Sequence, residues 1–510
     1  MLDRAESVKE ITIKKIYKHM KRTFFAGFAF ILPATLVMAQ NKPNIIMIIA
    51  DDLGYADTGC YGSKFYETPN IDQLAADGVL FTRGYASCPV CSPSRSSIMT
   101  GKYPVRTGVT DWIPGRQAYA GAQPQDRWIA EPFNNQLALE ETTLAEALHA
   151  NGYATMISGK WHLGESEKFW PEAQGFDVNK GGYSAGSPNK SNKSNGYFSP
   201  YGNPRLEDGA VGEYLTDRQT DEALNFINSH SATPFFVYLS YYAVHNPMQG
   251  KDELVERFRM KAEKLGISKN EPYTKDRQWI KKAPKGEFKE RLFQGDPVYA
   301  AMLYSMDENI GRLIANLKAA NLYEKTILIF SSDNGGLSTA EGSPTCNAPL
   351  RAGKGWLYEG GIRIPLIIRL PNAKASLKTE ATPVSHIDLY PTLLECAGMK
   401  SGKNQYDGIS LVPLIKKGKQ PKRPLFWHYP HYSNQGGFPG SAVSLGNYKL
   451  VDNFETQKHE LYDLEKDISE TTDLATSNPE KTNELYNLLK NWRLMTHAKM
   501  MTPNPNWVAK

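Results

Sequence analysis

Several short stretches of this 510-residue chain carry side chains of the kind that do chemistry. Asp51 and Asp52 close an apolar run. Cys91-Ser92-Pro93-Ser94-Arg95 opens a longer run that ends in Thr100-Gly101-Lys102. Gly159-Lys160-Trp161-His162-Leu163-Gly164, Ala243-Val244-His245-Asn246-Pro247 and Asp333-Asn334-Gly335-Gly336 each follow a strand-like segment. Lys354 lies in a run from Leu350 to Pro365. Asp51, Asp52, Asp333 and Asn334 are hard oxygen donors, and two acids after one strand with Asp-Asn after another can surround one divalent cation. Such ligands select calcium or magnesium over zinc. Neighbours in an extended segment face opposite ways, so a loop conformation must bring both Asp51 and Asp52 to the ion. Either pair alone also reads as a turn or helix cap, and a lone His or Lys after a strand reads as a structural or solvated group. Their recurrence in register with the Cys91 stretch favours a site.

The Cys91 stretch resembles the first signature of the type I sulfatases, C-x-P-S-R with T-G downstream. The stretch from Gly159 to Gly164 matches the second, G-K-W-H-L-G, at every position. His245 sits in a segment similar to the family's A-x-H-x-P. Leu350-Arg351-Ala352-Gly353-Lys354 and Tyr358-Glu359-Gly360-Gly361-Ile362-Arg363-Ile364-Pro365 follow L-R-G-G-K-x-x-x-Y-E-G-G-I-R-V-P, with Ala352 where Gly is common. Leu461-Tyr462-Asp463-Leu464-Glu465-Lys466-Asp467 resembles the C-terminal L-Y-D-L-x-x-D, with Ile468 where Pro is common. The resemblance runs over about residues 42–475, nearly the whole mature chain.

A sulfate monoester is an anion whose charge moves to the leaving oxygen as the bond breaks. Cations on its oxygens offset repulsion of the nucleophile, and a proton donor must meet the leaving alcohol. Arg95, Lys160, His162, His245 and Lys354 suit that work. The resemblance implies that Cys91 is oxidised to formylglycine (3-oxoalanine) by a maturation enzyme and hydrated to a geminal diol. It implies one metal ion, usually calcium, held by Asp51, Asp52, Asp333, Asn334 and the modified Cys91. One hydroxyl, held by Arg95, attacks sulfur. Lys160, Lys354 and His245 hold the sulfate, and His245 protonates the leaving alcohol. The second hydroxyl, deprotonated with help from His162, expels sulfate. A phosphomonoester or phosphonate hydrolase of the same superfamily and an inactive glycan-binding homologue are the alternatives. Cys91 as a plain thiolate nucleophile needs an acyl-transfer site that the sequence does not assemble.

These residues need a scaffold that gathers distant segments. The apolar β-branched run Asn44–Ala50 predicts a buried parallel strand. Thr143-Leu144-Ala145-Glu146 is a capping box opening a helix that Gly152 closes. Strands are expected at 154–158, 235–242, 326–330 and 364–370, and a long helix at 298–320. Alternating strands and helices predict an α/β fold, a large mostly parallel sheet sandwiched by helices, whose ligand site lies beyond the carboxyl ends of the strands. From about Pro424 short strand-like pieces (425–428, 442–445, 448–452, 460–464) and a helix at 480–496 predict a smaller antiparallel sheet plus helix. The resemblance implies the same alkaline-phosphatase-like arrangement. Domains are expected at 40–423 (catalytic) and 424–510. The Ser/Asn/Gly/Lys-rich stretch 181–196 is expected to be an exposed loop, and no internal repeat is seen.

Net charge is +5, and the first forty residues carry seven Lys/Arg against three Asp/Glu, so the remainder is near +1. No global field draws nucleic acid or anionic membrane. Lys21-Arg22, the apolar run 24–37 and Val37-Met38-Ala39 predict a cleaved signal peptide at 1–39, with Met20 an alternative start and a membrane anchor the alternative reading. A periplasmic or secreted protein without stable membrane association is expected. If Cys91 is modified, Cys60, Cys88, Cys346 and Cys396 remain, with three full pairings open. Cys88-Pro89-Val90-Cys91 is also a C-x-x-C, but neither a βαβ redox context nor a second zinc-binding pair accompanies it. Trp427-His428-Tyr429-Pro430-His431-Tyr432 can stack on sugar rings or fill an interdomain core, and Asp111-Trp112 follows the first signature closely. His428, His431, Asp111 and Trp112 are therefore the candidate sugar contacts. A sulfated glycan is the expected substrate, with sulfated galactose or N-acetylgalactosamine the first guess.

Overall fold

The strand β1 (Asn44–Ala50) is buried along its whole length. Its alternate residues feed two separate cores. Ile46, Ile48 and Ala50 join one apolar cluster, and Ile45, Met47 and Ile49 join the other. A strand covered on both faces needs a continuous apolar run, which is what Asn-Ile-Ile-Met-Ile-Ile-Ala supplies. The structure, a computed structural model, describes residues 42–115, 122–188, 190–191, 193–274, 288–372, 379–399, 405–418 and 420–508. The expected signal segment, with Met20, lies outside them. Residues from Lys42 on form one compact unit.

The large sheet has eight strands. In chain order they are β1, β2 (Val79–Phe81), β3 (Ala154–Gly159), β4 (Val178–Lys180), β5 (Phe235–Ser240), β6 (Thr326–Ser332), β7 (Leu366–Arg369) and β8 (Thr379–Glu380). Their spatial order is β8-β2-β7-β6-β1-β5-β3-β4. β6, β1, β5, β3 and β4 run parallel, while β7 pairs antiparallel with β6 and β2. The helix α1 (Cys91–Thr100) is buried throughout. The helix α2 (Leu144–Ala150) opens on the expected reciprocal cap, Thr143 with Glu146, and packs on one face of the sheet. The long helix α3 (Pro297–Ala319) packs on the other.

The C-terminal part is an antiparallel sheet of β9 (Leu425–Tyr429), β10 (Gly440–Leu445), β11 (Tyr448–Asn453) and β12 (Lys458–Asp463), followed by the helix α4 (Pro479–Met495). Its two faces have different partners. Trp427, Ala442, Val451 and Tyr462 pack on Tyr85, Trp356 and Tyr358 of the larger body. Phe426, Val443, Leu450 and Leu461 face Leu485, Leu489 and Trp492 of α4.

Two expectations need correction, and one question the sequence left open is answered. The strand expected at 364–370 is broken at Pro365, which has no N–H for the ladder. Arg363–Ile364 pairs instead with Gly84–Tyr85 in a separate sheet. The stretch 181–196 is not simply exposed. Gly181 and Gly182 are buried, the Tyr183 carbonyl accepts from the His162 backbone N–H, and a Cβ on Gly186 would lie 2.6 Å from the His162 ring. All five cysteines are free, so none of the three pairings occurs. Among the described residues no helix is long and apolar enough to cross a membrane.

Candidate active site

Every strand of the parallel set that bears a signature residue delivers it at its carboxyl end. β1 is followed by Asp51 and Asp52, β3 by Lys160, β6 by Asp333 and Asn334, and the turn after β5 carries His245. The alternation problem at Asp51-Asp52 is solved by the backbone. Asp52 takes a left-handed φ of 60°, uncommon outside glycine but tolerated by Asp. His162 is also left-handed, at 56°, a sparsely populated state that persists where surroundings enforce it. Gly159, at φ 106°, makes the turn that leads into Lys160. A Cβ there would lie 2.0 Å from the Ser240 carbonyl.

Cys91 is the first residue of α1 and Arg95 lies one turn on, so both point from the same face. Cys91 Sγ is 3.8 Å from Asp51 Oδ1. Arg95 donates to Asp333 Oδ2 through Nε at 3.0 Å and Nη2 at 2.7 Å, and to Ser240 Oγ at 2.6 Å. Lys160 Nζ donates to Asp51 Oδ2 at 2.7 Å. Lys354 Nζ is 2.7 Å from Asp52 Oδ2 and 3.1 Å from His245 Nε2. Asn334 Nδ2 donates to Asp52 Oδ1 at 2.8 Å. All these side chains are buried or nearly so.

Burial disfavours every charge here, and its neighbours decide the outcome. Burial pushes the Asp51 carboxyl well above its usual range against the pull of Lys160, with Asp333 and Asp52 adding to the rise. Burial also opposes ionisation of Asp52 and Asp333, but Lys354 holds the first, and Arg95 with both lysines the second, below the usual carboxylate range. Burial raises the Cys91 thiol to about 12. Burial and then Lys354 lower His245 to about 3, so the imidazole is neutral and accepts from Lys354. Burial, followed by Lys160, takes His162 well below its ordinary value. Its Nε2 is 2.5 Å from the Ile113 carbonyl, and its Nδ1 has no partner.

The donor set fits a divalent cation on two counts. Ligand atoms of Asp51, Asp52, Cys91 and His245 lie within 4.8 Å of one another, and the buried Asn334 Oδ1 has no hydrogen-bond partner. Each fixed cation is already paired: Arg95 with Asp333, Lys160 with Asp51, Lys354 with Asp52. With all three carboxylates ionised the cluster is neutral. Only added positive charge would free the lysines for an anionic substrate.

The proposed sugar contacts divide. The loop bearing Asp111 and Trp112 runs beside α1, where the Ile113 N–H donates to Ser92 Oγ at 3.1 Å. Asp111 is buried and accepts from Tyr429 Oη at 2.9 Å. His431 joins it, 4.0 Å from Asp111 and 2.9 Å from Thr110 Oγ1. His428 lies on the other face of the C-terminal sheet, buried, with Nδ1 2.7 Å from Ser441 Oγ and Nε2 2.9 Å from the Lys499 carbonyl. Both its ring nitrogens are spent on packing, so His428 is no sugar contact. Trp427 and Tyr429 are core where the C-terminal sheet meets the larger body. Sequence reasoning missed Ser240, although it ends β5 as the other site residues end their strands. It also missed His386, whose Nε2 meets the Ser332 carbonyl at 3.0 Å and which no motif marks.

Residues 43–399 match the family model named sulfatase, and residues 352–498 match that of the C-terminal region of N-sulphoglucosamine sulphohydrolase. The chain is 30% identical to a protein named sulfatase from Formosa agariphila, over 90% of each chain. It is 32% identical to mouse (Mus musculus) N-acetylgalactosamine-6-sulfatase, over 81% of this chain and 72% of the other. It is 31% identical to human arylsulfatase A, over 91% and 89%. Among solved structures, Ps i-CgsB in complex with k-i-k-neocarrahexaose superposes with a TM-score of 0.70 at 30% identity, covering 92% of this chain and 95% of that one.

Proposed function

The chain belongs to the sulfatase family and is a sulfuric ester hydrolase, and we propose that it desulfates a carbohydrate with formylglycine at Cys91 and one bound calcium. The observation that carries this is the convergence of Cys91, Arg95, three carboxylates, two lysines and His245 at the carboxyl ends of four parallel strands. Formylglycine at position 91 supplies the nucleophile. Asp51, Asp52, Asp333 and Asn334 would hold the calcium, which would supply positive charge beside that nucleophile.

The chain's own residues do the rest. Arg95 fixes Asp333 by a two-nitrogen contact and keeps the head of α1 in place. Lys160 and Lys354 release their carboxylates to take the sulfate oxygens. His245 and Lys354 share one hydrogen bond, so the proton for the leaving alcohol passes through that pair. His162, with Nε2 tied to the Ile113 carbonyl, offers Nδ1 as the base for the step that frees sulfate. Residues 40–423 make the catalytic domain, 424–510 a C-terminal subdomain, and the chain is exported by its first 39 residues.

One relative is named N-acetylgalactosamine-6-sulfatase and another was solved in complex with k-i-k-neocarrahexaose, which supports a sulfated galactose or N-acetylgalactosamine. Asp111 and His431, held together beside α1, and the half-buried Trp112 are its nearest candidate contacts. The test is mass spectrometry of the Cys91 peptide from protein made with a maturation enzyme. A thiol replaced by an aldehyde is expected, with turnover lost in Cys91→Ala. An unmodified thiol in fully active protein would end this reading.

A further inference from the structure

The outer face of the C-terminal sheet changes character by one row. The row Phe426, Val443, Leu450 and Leu461 is apolar and packs on α4. Two residues along each strand, the next row on the same face is His428, Ser441, Asp452 and His459. The strand registers place these four side by side. Apolar packing would continue with apolar residues, since burying paired charges gains little stability. His428 and Ser441 are closed off by packing, and a cleft of about 370 Å³ opens over the Asp452 and His459 end of the row.

Its floor is polar. Arg493 of α4, 9% exposed, donates to Asp452 Oδ2 at 2.7 Å, and His459 Nδ1 is 3.2 Å from Asp452 Oδ1. Its walls are aromatic. Phe454 and Tyr486 each lie 5.8 Å from the Arg493 guanidinium, and Tyr486 is 4.2 Å from the His459 ring. Trp128 also lines the cleft, held by its indole N–H donating to the Phe454 carbonyl at 2.8 Å.

A pyranose ring has apolar C–H faces and a rim of hydroxyls. Aromatic walls over a floor of carboxylate, guanidinium and imidazole meet both, in a volume within the range of ligand pockets. The neutral Asp452–Arg493 pair offers fixed acceptors and donors without excess charge. We infer that this cleft is a second, non-catalytic binding site for a sugar residue of a glycan chain. It lies on the sheet face opposite to the one that packs against the catalytic body, so it holds the polymer without entering the reaction.

The test uses the full chain carrying Lys354→Ala, which weakens capture at the catalytic cluster. Carrageenan and chondroitin sulfate hexasaccharides are titrated by calorimetry. Binding is expected to persist, and to weaken at least tenfold on adding Trp128→Ala or Tyr486→Ala. Tyr486→Ala sits on a helix that tolerates Ala, so it serves if the tryptophan variant does not fold. Loss of all binding in Lys354→Ala alone overturns the inference, as does binding that neither aromatic substitution moves. Activity of the catalytic cluster is not read, so the catalytic proposal stands or falls separately.

Discussion

Arg95 grips Asp333 with two nitrogens, Nε at 3.0 Å and Nη2 at 2.7 Å, both on one carboxylate oxygen. The pair is buried and lies between the helix that carries Cys91 and the strand that carries Asn334. Lysine cannot reproduce that fork. Arg95→Lys is therefore expected to keep the fold and lower kcat/KM by roughly a hundredfold or more. Arg95→Ala leaves a buried carboxylate unpaired and should cost about 3–5 kcal/mol of stability. Near-normal kinetics in Arg95→Lys would refute the role.

The oxygen-rich donor set predicts dependence on calcium. A chelator should abolish turnover, and calcium should restore it. Asp333→Ala and Asn334→Ala should each cut activity by orders of magnitude, because one removes a charge of the cage and the other its unpartnered oxygen. Stoichiometric zinc in gently purified protein, with activity lost on its removal, would contradict the assignment.

The Lys354–His245 hydrogen bond predicts a leaving-group effect. His245→Ala should harm a sugar sulfate far more than a nitrophenyl sulfate, since a sugar alkoxide needs the proton and a nitrophenolate does not. Equal loss on both substrates would reduce His245 to sulfate binding.

Lys449 lies 3.0 Å from Glu359 Oε1 and 2.8 Å from Glu470 Oε1, all buried where the C-terminal sheet meets the larger body. Burial, eased by Lys449 and worsened by Glu359, lifts the Glu470 carboxyl to about 7 from its usual 4.5. Between those values the folded chain keeps a proton that the unfolded chain loses. This group's contribution to stability thus falls as pH rises from 4.5 to 7 and is level above. Melting curves of Glu470→Gln should show a flatter Tm profile over that window; an unchanged slope would remove the assignment.

Ala352 takes a left-handed φ of 60°, at a position where the resembling signature has Gly. A left-handed Ala costs roughly 1–2 kcal/mol, part of which Gly returns in unfolded-state entropy. Ala352→Gly should raise Tm slightly, and a drop would show that the turn is not strained.

The scaffold was legible because buried parallel strands write themselves as apolar runs, as in Asn44–Ala50, and because polar residues at their ends stand out. Ser240 escaped only because serine carries no chemical label. The break at Pro365 was visible in principle, but the apolar run across it hid a change of sheet. His428 and His431 show the limit. They sit three residues apart on one strand end, yet one packs toward α4 and the other toward Asp111. The Lys449 network joins residues from three distant segments, and no local pattern announces it.

Cys91 is 2% exposed, at the head of a helix that has no exposed residue. An enzyme must lay an extended peptide in its own cleft to alter one side chain, and this peptide is coiled and enclosed. The proposed conversion of Cys91 to formylglycine would therefore have to precede closure of the chain. Under that proposal folding and modification compete in time, and a molecule that folds first would keep its thiol.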